Sequence, residues 1–349
     1  MSQTLLATPT ADLPGALVIS LDFELAWGVF DSVDSDGSYR DHLLGAREAI
    51  PRMLDLFTEH DIAVTWATVG LLFAESRDEA EAFYPVERPR YVDQRLDPYR
   101  VQVGRDERDD PTHYAPSLIR AVASAPKQEI GSHTFSHYYC LEPGQTADTF
   151  AADLRAARAI AKAKGHALAS LVVPRHQVRE DYLPVVARAG FSVHRTNEAN
   201  LLSRPRAKGR DPLAMRALRL LDGYLPLTGP NLVPWSTTEP DHHDLVDVRE
   251  SRFVRPMLRR LRAFEPVRVR RVVAAMTAAA KHGAICHLWW HPHNFGVHLD
   301  DQLTNLRAIL GAYARLRDEH GMASLSMRDV AESVRRRGRA LATHPEPGA

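Results

Sequence analysis

The sequence predicts an α/β protein folded as one barrel-like domain. Three observations lead there: short apolar runs alternate with amphipathic helical segments, no clean linker interrupts them, and the residues able to do chemistry directly follow the apolar runs. A length of 349 residues suits two average domains or one large barrel, so the alternation decides. Hydrophobic residues make up 44% of the chain, enough for a sizeable core, and 44 basic residues offset 44 acidic ones. The balanced charge names no partner, and no nucleic acid is expected.

Residues 1–15 read as an N-terminal extension with neither a basic start nor a long apolar run, so no secretory signal is expected. No apolar stretch approaches the roughly 20 residues of a membrane span. Cys140 and Cys286 are too few for a disulfide framework, and a reducing, cytoplasmic location follows as the expectation. The barrel is expected over 16–330.

Its first strand is the branched, apolar ALVISL from Ala16 to Leu21. HLLGAREAIPRMLDLFTEHD has helical spacing and leads into a second strand, IAVTWATVG, which completes a strand, helix, strand unit. From about Tyr84 to Pro116 the chain is dense in Pro, Arg, Asp and Tyr, which predicts an inserted loop or lid. The alternation resumes with SLIRAVASAP as helix, QEIGSHTFSH starting as a short strand, DTFAADLRAARAIAKAKG as helix and LASLVVP as strand. YLPVVARAG and FSVHRT add a helix and a strand.

Two basic segments follow. Arg204 to Arg219 holds six Arg or Lys against one Asp, and Arg249 to Arg271 holds nine Arg against two Glu. They read as solvated helix faces, with recognition of an anionic, phosphate-bearing substrate as the alternative. AICHLWWHPHNFG is a final strand and loop, and LDDQLTNLRAILGAYARLRDEHG a closing amphipathic helix. SLSMRDVAESVRRRG adds a short strand and helix, and the tail over 331–349 is expected to end in disorder.

The chemistry gathers at three places. His133 and His137 in HTFSH are four residues apart, which on a helix or helical turn points both rings the same way, as in zinc sites with histidines at i and i+4. Asp22 and Glu24 end the first strand and, two apart, project to one face of it. His291 and His293 follow the apolar run of the last strand. Two neutral imidazoles and one carboxylate can hold a divalent ion with open positions, a second carboxylate can take a proton from water, and a further histidine can protonate a departing amine.

These residues resemble the polysaccharide deacetylases, carbohydrate esterase family 4, which include chitin and peptidoglycan deacetylases. SLDFE resembles the family's first motif, TFDDG, with Phe23 standing between the two acids and the second acid a longer Glu. HTFSH matches the second, H-x-x-x-H with Ser or Thr before the last histidine. PRHQ resembles the third, although here the arginine follows the proline, and LWWH resembles the last.

The resemblance implies a distorted (β/α)7-type barrel with loop insertions and a metal-dependent N-deacetylase. It assigns Asp22 as base, Glu24, His133 and His137 as metal ligands, Arg175 as the partner of the base, and His291 as the catalytic acid, with His293 second to it. Glu24 is favoured as the ligand because its longer side chain can reach past the strand end; the reverse assignment puts Asp22 on the metal. Zn²⁺ is the first expectation, with Co²⁺, Ni²⁺ or Mn²⁺ as alternatives.

A backbone N–H near His137–Tyr139 is expected to face the oxyanion. Trp27, Tyr138, Trp290, His293 and Asn294 are candidates for substrate contact; the bland reading leaves Trp27, Trp289 and Trp290 in the core and Tyr138, Tyr139 and Cys140 packing the turn. GYLPLTGPN, with Pro226 and Asn231, lies where the family has a variable pocket loop. The expected substrate is an acetylated amino sugar in an intracellular glycan precursor, a nucleotide- or lipid-linked sugar or a glycosylated metabolite. The rivals are an amidase for a non-sugar amide or cyclic imide and a barrel that binds glycan without catalysis.

Overall fold

Every residue of β1 (Ala16–Phe23) is buried, as a central parallel strand covered on both faces requires. It belongs to a computed structural model that describes residues 13–32, 37, 39–198, 213–225 and 227–343. The chain continues through α1 (Arg40–Glu59), β2 (Val64–Thr68), α2 (Arg77–Ala82), α3 (Pro116–Ser124), β3 (Gln128–Ser132), α4 (Ala147–Ala163) and β4 (Ser170–Val172). Then come α5 (Leu183–Arg188), β5 (Val193–Arg195), α6 (Leu213–Asp222), β6 (Val233–Pro234), β7 (Val246–Asp247) and β8 (Arg252–Phe253). The last elements are α7 (Glu265–His282), β9 (Ala284–Trp290), α8 (Leu299–His320), β10 (Ala323–Leu325) and α9 (Met327–Thr343).

The strands form one curled sheet in the order β6-β9-β1-β2-β3-β4-β5-β7, with β10 on β1 and β8 on β9. All described pairs are parallel except β6 with β9. This is the α/β, barrel-like architecture expected from the alternation, with its sheet curled into a half-barrel. No described helix is long and apolar enough to cross a membrane.

The period of two along the strands separates two cores. Leu17, Ile19, Leu21 and Phe23 of β1 face outward into the large cluster, with Ile50, Phe57 and Leu310 of the surrounding helices. Each such buried side chain contributes about 1.5–3 kcal/mol. Ala16 and Val18 face inward with Val172, Val193 and Ile285, and Val330 and Val334 of α9 pack against them. Helix α9 thus closes the starting end of the strands, where buried Glu129 accepts from Thr65 and Ser170, and the far ends stay open to a second set of polar groups. The expected tail over 331–349 is accordingly helical to Thr343; residues 344–349, like 1–12 and 199–212, lie outside the described residues.

Two expectations change. HTFSH is not helical: Thr134 and His137 have φ of 64° and 57°, which no right-handed helix accommodates. Asp153 of α4 holds the loop instead, accepting from the backbone N–H of Phe135 and Ser136 and from the Ser136 hydroxyl. Burial pushes the Asp153 carboxyl up to about 7 against these donors.

Nor is 249–271 a solvated face throughout. Arg252 and Arg268 are buried; Arg271 and Arg252 meet Asp222 at 3.0 and 3.5 Å, and Arg268 Nε donates to Glu265 at 2.9 Å. These arginines are matched internally because buried charges require partners.

Candidate active site

On the inward face β1 turns polar as it rises, from Ala16 and Val18 to Ser20, Asp22 and then Glu24. The strand ends at Phe23, so Glu24 lies just past it, and Leu25, at φ 45°, opens a short helical turn. Gly28 leaves room for the Glu24 carboxylate: a Cβ at residue 28 would lie 2.0 Å from Glu24 Oε1.

Glu24 Oε2 lies 3.0 Å from His137 Nε2 and 3.2 Å from His133 Nε2, with all three residues buried. The other ring nitrogens are committed elsewhere. His133 Nδ1 meets the carbonyl of Val172 at 2.9 Å, and since a carbonyl only accepts, the proton is on Nδ1. His137 Nδ1 meets the Tyr139 hydroxyl at 3.1 Å.

That hydroxyl also bonds the Asp31 carboxylate, an acceptor, so its oxygen is left to accept from His137. Both Nε2 atoms therefore carry lone pairs aimed at a carboxylate oxygen. A cation would satisfy these converging acceptors, and the set of two imidazoles and one carboxylate could hold a divalent metal ion. Burial alone would raise Glu24, but its charged form is favoured by its neighbours, His291 first among them, and the carboxyl lies well below its ordinary range.

Asp22 has a different partner. Arg195 Nη2 donates to Asp22 Oδ2 at 2.8 Å, and Nη1 donates to Ser20 Oγ at 2.6 Å. Ser20 lies 2.8 Å from His287 Nε2, whose Nδ1–H donates to the carbonyl of Val248 at 2.9 Å. A chain of bonds across β1, β5 and β9 thus holds the Arg195 guanidinium, and through it the carboxylate. Burial alone would raise Asp22; Arg195, then His133 and His291, bring it to about 2.

His291 closes the arrangement at the mouth. Its Nε2 is 3.3 Å from Glu24 Oε1 and 3.9 Å from Asp22 Oδ2, and its side chain is 24% exposed, the most open of the five. Asn294 Nδ2 lies 3.4 Å from His291 Nδ1 and orients the ring with Nε2 toward the carboxylates. His293 stacks on His291 at 5.1 Å and, with Glu24 and His291, makes a second grouping of metal-ligand type. Burial and the neighbouring His291 bring His293 down to about 3.

Asp22, Glu24, His133, His137, His291, His293 and Asn294 thus meet at one rim. Arg175 does not join Asp22: its guanidinium donates to Asp31 at 2.7 Å and lies 4.3 Å over the Tyr139 ring. The arginine on Asp22 is Arg195, two residues after inward-facing Val193, and the missed signal was a charged residue on the buried face of a strand.

Trp290 belongs to the outer core beside Phe57 and Phe295, because its neighbour Trp289 takes the inward position of β9. Trp27 is also core, donating to the His113 carbonyl at 2.9 Å and bracing the 84–116 insertion. Tyr138 is fully buried and bonds Thr149 at 2.7 Å, away from the rim. The N–H groups of Tyr138 and Tyr139 donate to Thr134 Oγ1 and to the Tyr91 hydroxyl of the insertion, so neither faces an oxyanion. Cys140 is a buried thiol that desolvation pushes well above its ordinary pKa, which leaves it inert. Asn231 donates to Glu198 at 2.9 Å, and Pro226 lies outside the described residues.

Comparison with known proteins agrees with the resemblance. The family model for polysaccharide deacetylase matches residues 30–194, a span that holds His133, His137 and Arg175 and stops one residue short of Arg195. No curated protein matches the chain. A Mycobacterium smegmatis protein classed as a polysaccharide deacetylase is similar in structure with a TM-score of 0.62 at 15% identity, covering 95% of each chain. One from Pseudomonas aeruginosa PAO1, classed likewise, gives 0.52 at 12% identity over 92% of this chain and 91% of that one. At these identities the likeness concerns the fold.

Proposed function

Taking the polysaccharide deacetylase match over residues 30–194 as the premise, we propose that the chain is a metal-dependent hydrolase that removes an N-acetyl group from an amino sugar. The observation that carries this is the convergence of Glu24 Oε2 with His133 Nε2 and His137 Nε2 at 3.2 and 3.0 Å. Those three residues would hold the ion, with Zn²⁺ the first candidate for such a donor set and Co²⁺, Ni²⁺ or Mn²⁺ the alternatives. When bound, the ion supplies Lewis acidity, lowering the pKa of a water from about 15.7 toward roughly 7 and polarising an amide carbonyl.

The chain's own residues do the rest. Asp22, ionised across the working range because Arg195 holds it near 2, would accept the proton of the attacking water at Oδ1, the oxygen without a hydrogen-bond partner. Arg195 holds the other oxygen, Oδ2, so no reorientation is needed during the transfer. His291 Nε2 stands on the solvent side of both carboxylates and is placed to donate to the departing amine, with Asn294 fixing its ring. The rings of Phe253 and Trp289 pack beside His291.

The test is acetate release from N-acetylglucosamine oligomers by the protein loaded with Zn²⁺, against chelated protein and against acetanilide as a non-sugar amide. Metal-dependent release that favours the oligomers supports the proposal. Release from neither substrate counts against a deacetylase, and preference for acetanilide counts against the sugar.

A further inference from the structure

Next to Asp22 and Arg195 lies a group of polar atoms that the mechanism above does not use. Trp289 is its hub: Arg195 lies 4.5 Å over the indole, His176 stands edge-on at 4.5 Å, and His291 at 5.4 Å. His176 Nε2 is 3.6 Å from Glu250 Oε2, beyond hydrogen-bond reach. Among the described residues, both ring nitrogens of His176, Glu250 Oε2 and Trp289 Nε1 are buried without a hydrogen-bond partner. Buried polar atoms are normally paired, so four orphans on one wall of a catalytic rim point to a ligand.

The backbone agrees. Arg175 and His176 are consecutive residues with φ of 53° and 51°, a conformation that costs about 1–3 kcal/mol at each non-glycine residue unless the surroundings enforce it. Here they do. Pro174 precedes the pair, Arg175 is tied outward to Asp31, and buried Gln177 accepts from the Leu141 N–H at 2.9 Å. The strained turn sends Arg175 outward and His176 inward, within electrostatic reach of Arg195, Asp22, His133 and His291.

We propose that His176, with Glu250 and Trp289, forms a substrate subsite that takes an uncharged hydrogen-bonding substituent, a hydroxyl or an amide, next to the scissile N-acetyl group. The charge state of the wall selects that class. Burial raises Glu250 to about 8, so it is protonated at neutral pH and can donate. Burial, then Arg195, holds His176 well below its ordinary value and so neutral, with one nitrogen donating and one accepting. Trp289 Nε1 only donates. The charge of Arg195 is already offset by Asp22, so a charged substituent would be buried there without a counter-ion, while the unpartnered Nε of Arg195 adds one more donor to the wall. The hydroxyls and amides of an amino sugar match this wall.

This inference rests on the deacetylase reading, and its test separates the two. The Zn²⁺-loaded protein is assayed on the tetramer of N-acetylglucosamine and on acetanilide, which has the amide but no hydroxyl. His176→Phe keeps the ring against Trp289 and removes both nitrogens; His176→Asn keeps a donor and an acceptor. The ratio of kcat/KM for tetramer over acetanilide falls about tenfold or more in His176→Phe, chiefly through KM, and recovers in His176→Asn. Melting curves establish that both variants are folded. An unchanged ratio in a folded His176→Phe, or a loss that His176→Asn fails to restore, overturns the subsite and leaves the deacetylase reading standing. An unsubstituted protein inactive on both substrates overturns both.

Discussion

Arg195 and Asp22 form an ion pair of 2.8 Å in which neither side chain is more than 4% exposed. The pair joins β5 to β1 and sets the charge of the carboxylate proposed as the base. In Arg195→Met, Asp22 is left buried without its partner, at a cost of about 3–5 kcal/mol in unfolding free energy. Burial then dominates and raises the Asp22 pKa, so the acid limb of the kcat/KM profile moves to higher pH. Arg175→Met, which touches Asp31 instead, leaves that limb in place. Denaturant unfolding and pH profiles of both variants check this.

The same pair links stability to pH. Asp22 falls from an ordinary 3.8 to about 2 in the folded chain, so between those values the unfolded chain binds more protons. Its contribution, on the order of 2 kcal/mol, is therefore present above pH 3.8 and is lost as pH falls through about 2. Asp22→Asn is expected to show a shallower decline in stability between pH 4 and pH 2 than the unsubstituted chain, as read from urea midpoints (about the pKa window above).

Gly28 is a steric condition for Glu24, the proposed metal ligand. Gly28→Ala places a methyl group on the Glu24 carboxylate and displaces it, and metal affinity is expected to fall by about 10-fold or more while the β1 core is kept. Equilibrium dialysis against zinc measures the change.

Tyr139 orients His137, and Asp31 and Arg175 orient Tyr139 in turn. Tyr139→Phe removes the acceptor for the His137 Nδ1–H, and zinc affinity is expected to drop about 10–100-fold. An unchanged affinity would show that the ring is held by packing alone.

Much of this architecture is legible in the sequence because hydrophobic period and strand ends are local signals. ALVISL shows its buried strand, and the acids, HTFSH and the histidines after LWW each follow an apolar run. What is not legible depends on pairing across the sheet. PRHQ offers an arginine in the right part of the chain, yet the left-handed turn at Arg175 and His176 exchanges their directions, and the guanidinium that reaches Asp22 comes from the next strand. Trp289 and Trp290 are adjacent in sequence and lie on opposite faces of β9, so the choice between them needs the register of that strand against β1. The arginines of 249–271 read as a charged surface because Asp222, which pairs with two of them, is distant in the chain.

The central claim is that Glu24 holds the ion with His133 and His137 while Asp22 moves the proton. Metal content per chain, measured on purified Glu24→Gln and Asp22→Asn beside the unsubstituted protein, tests it most directly. The expected result is stoichiometric metal in the unsubstituted chain and in Asp22→Asn, the latter without acetate release, and loss of metal in Glu24→Gln. Metal retained in Glu24→Gln and lost in Asp22→Asn would contradict the assignment and exchange the roles of the two acids.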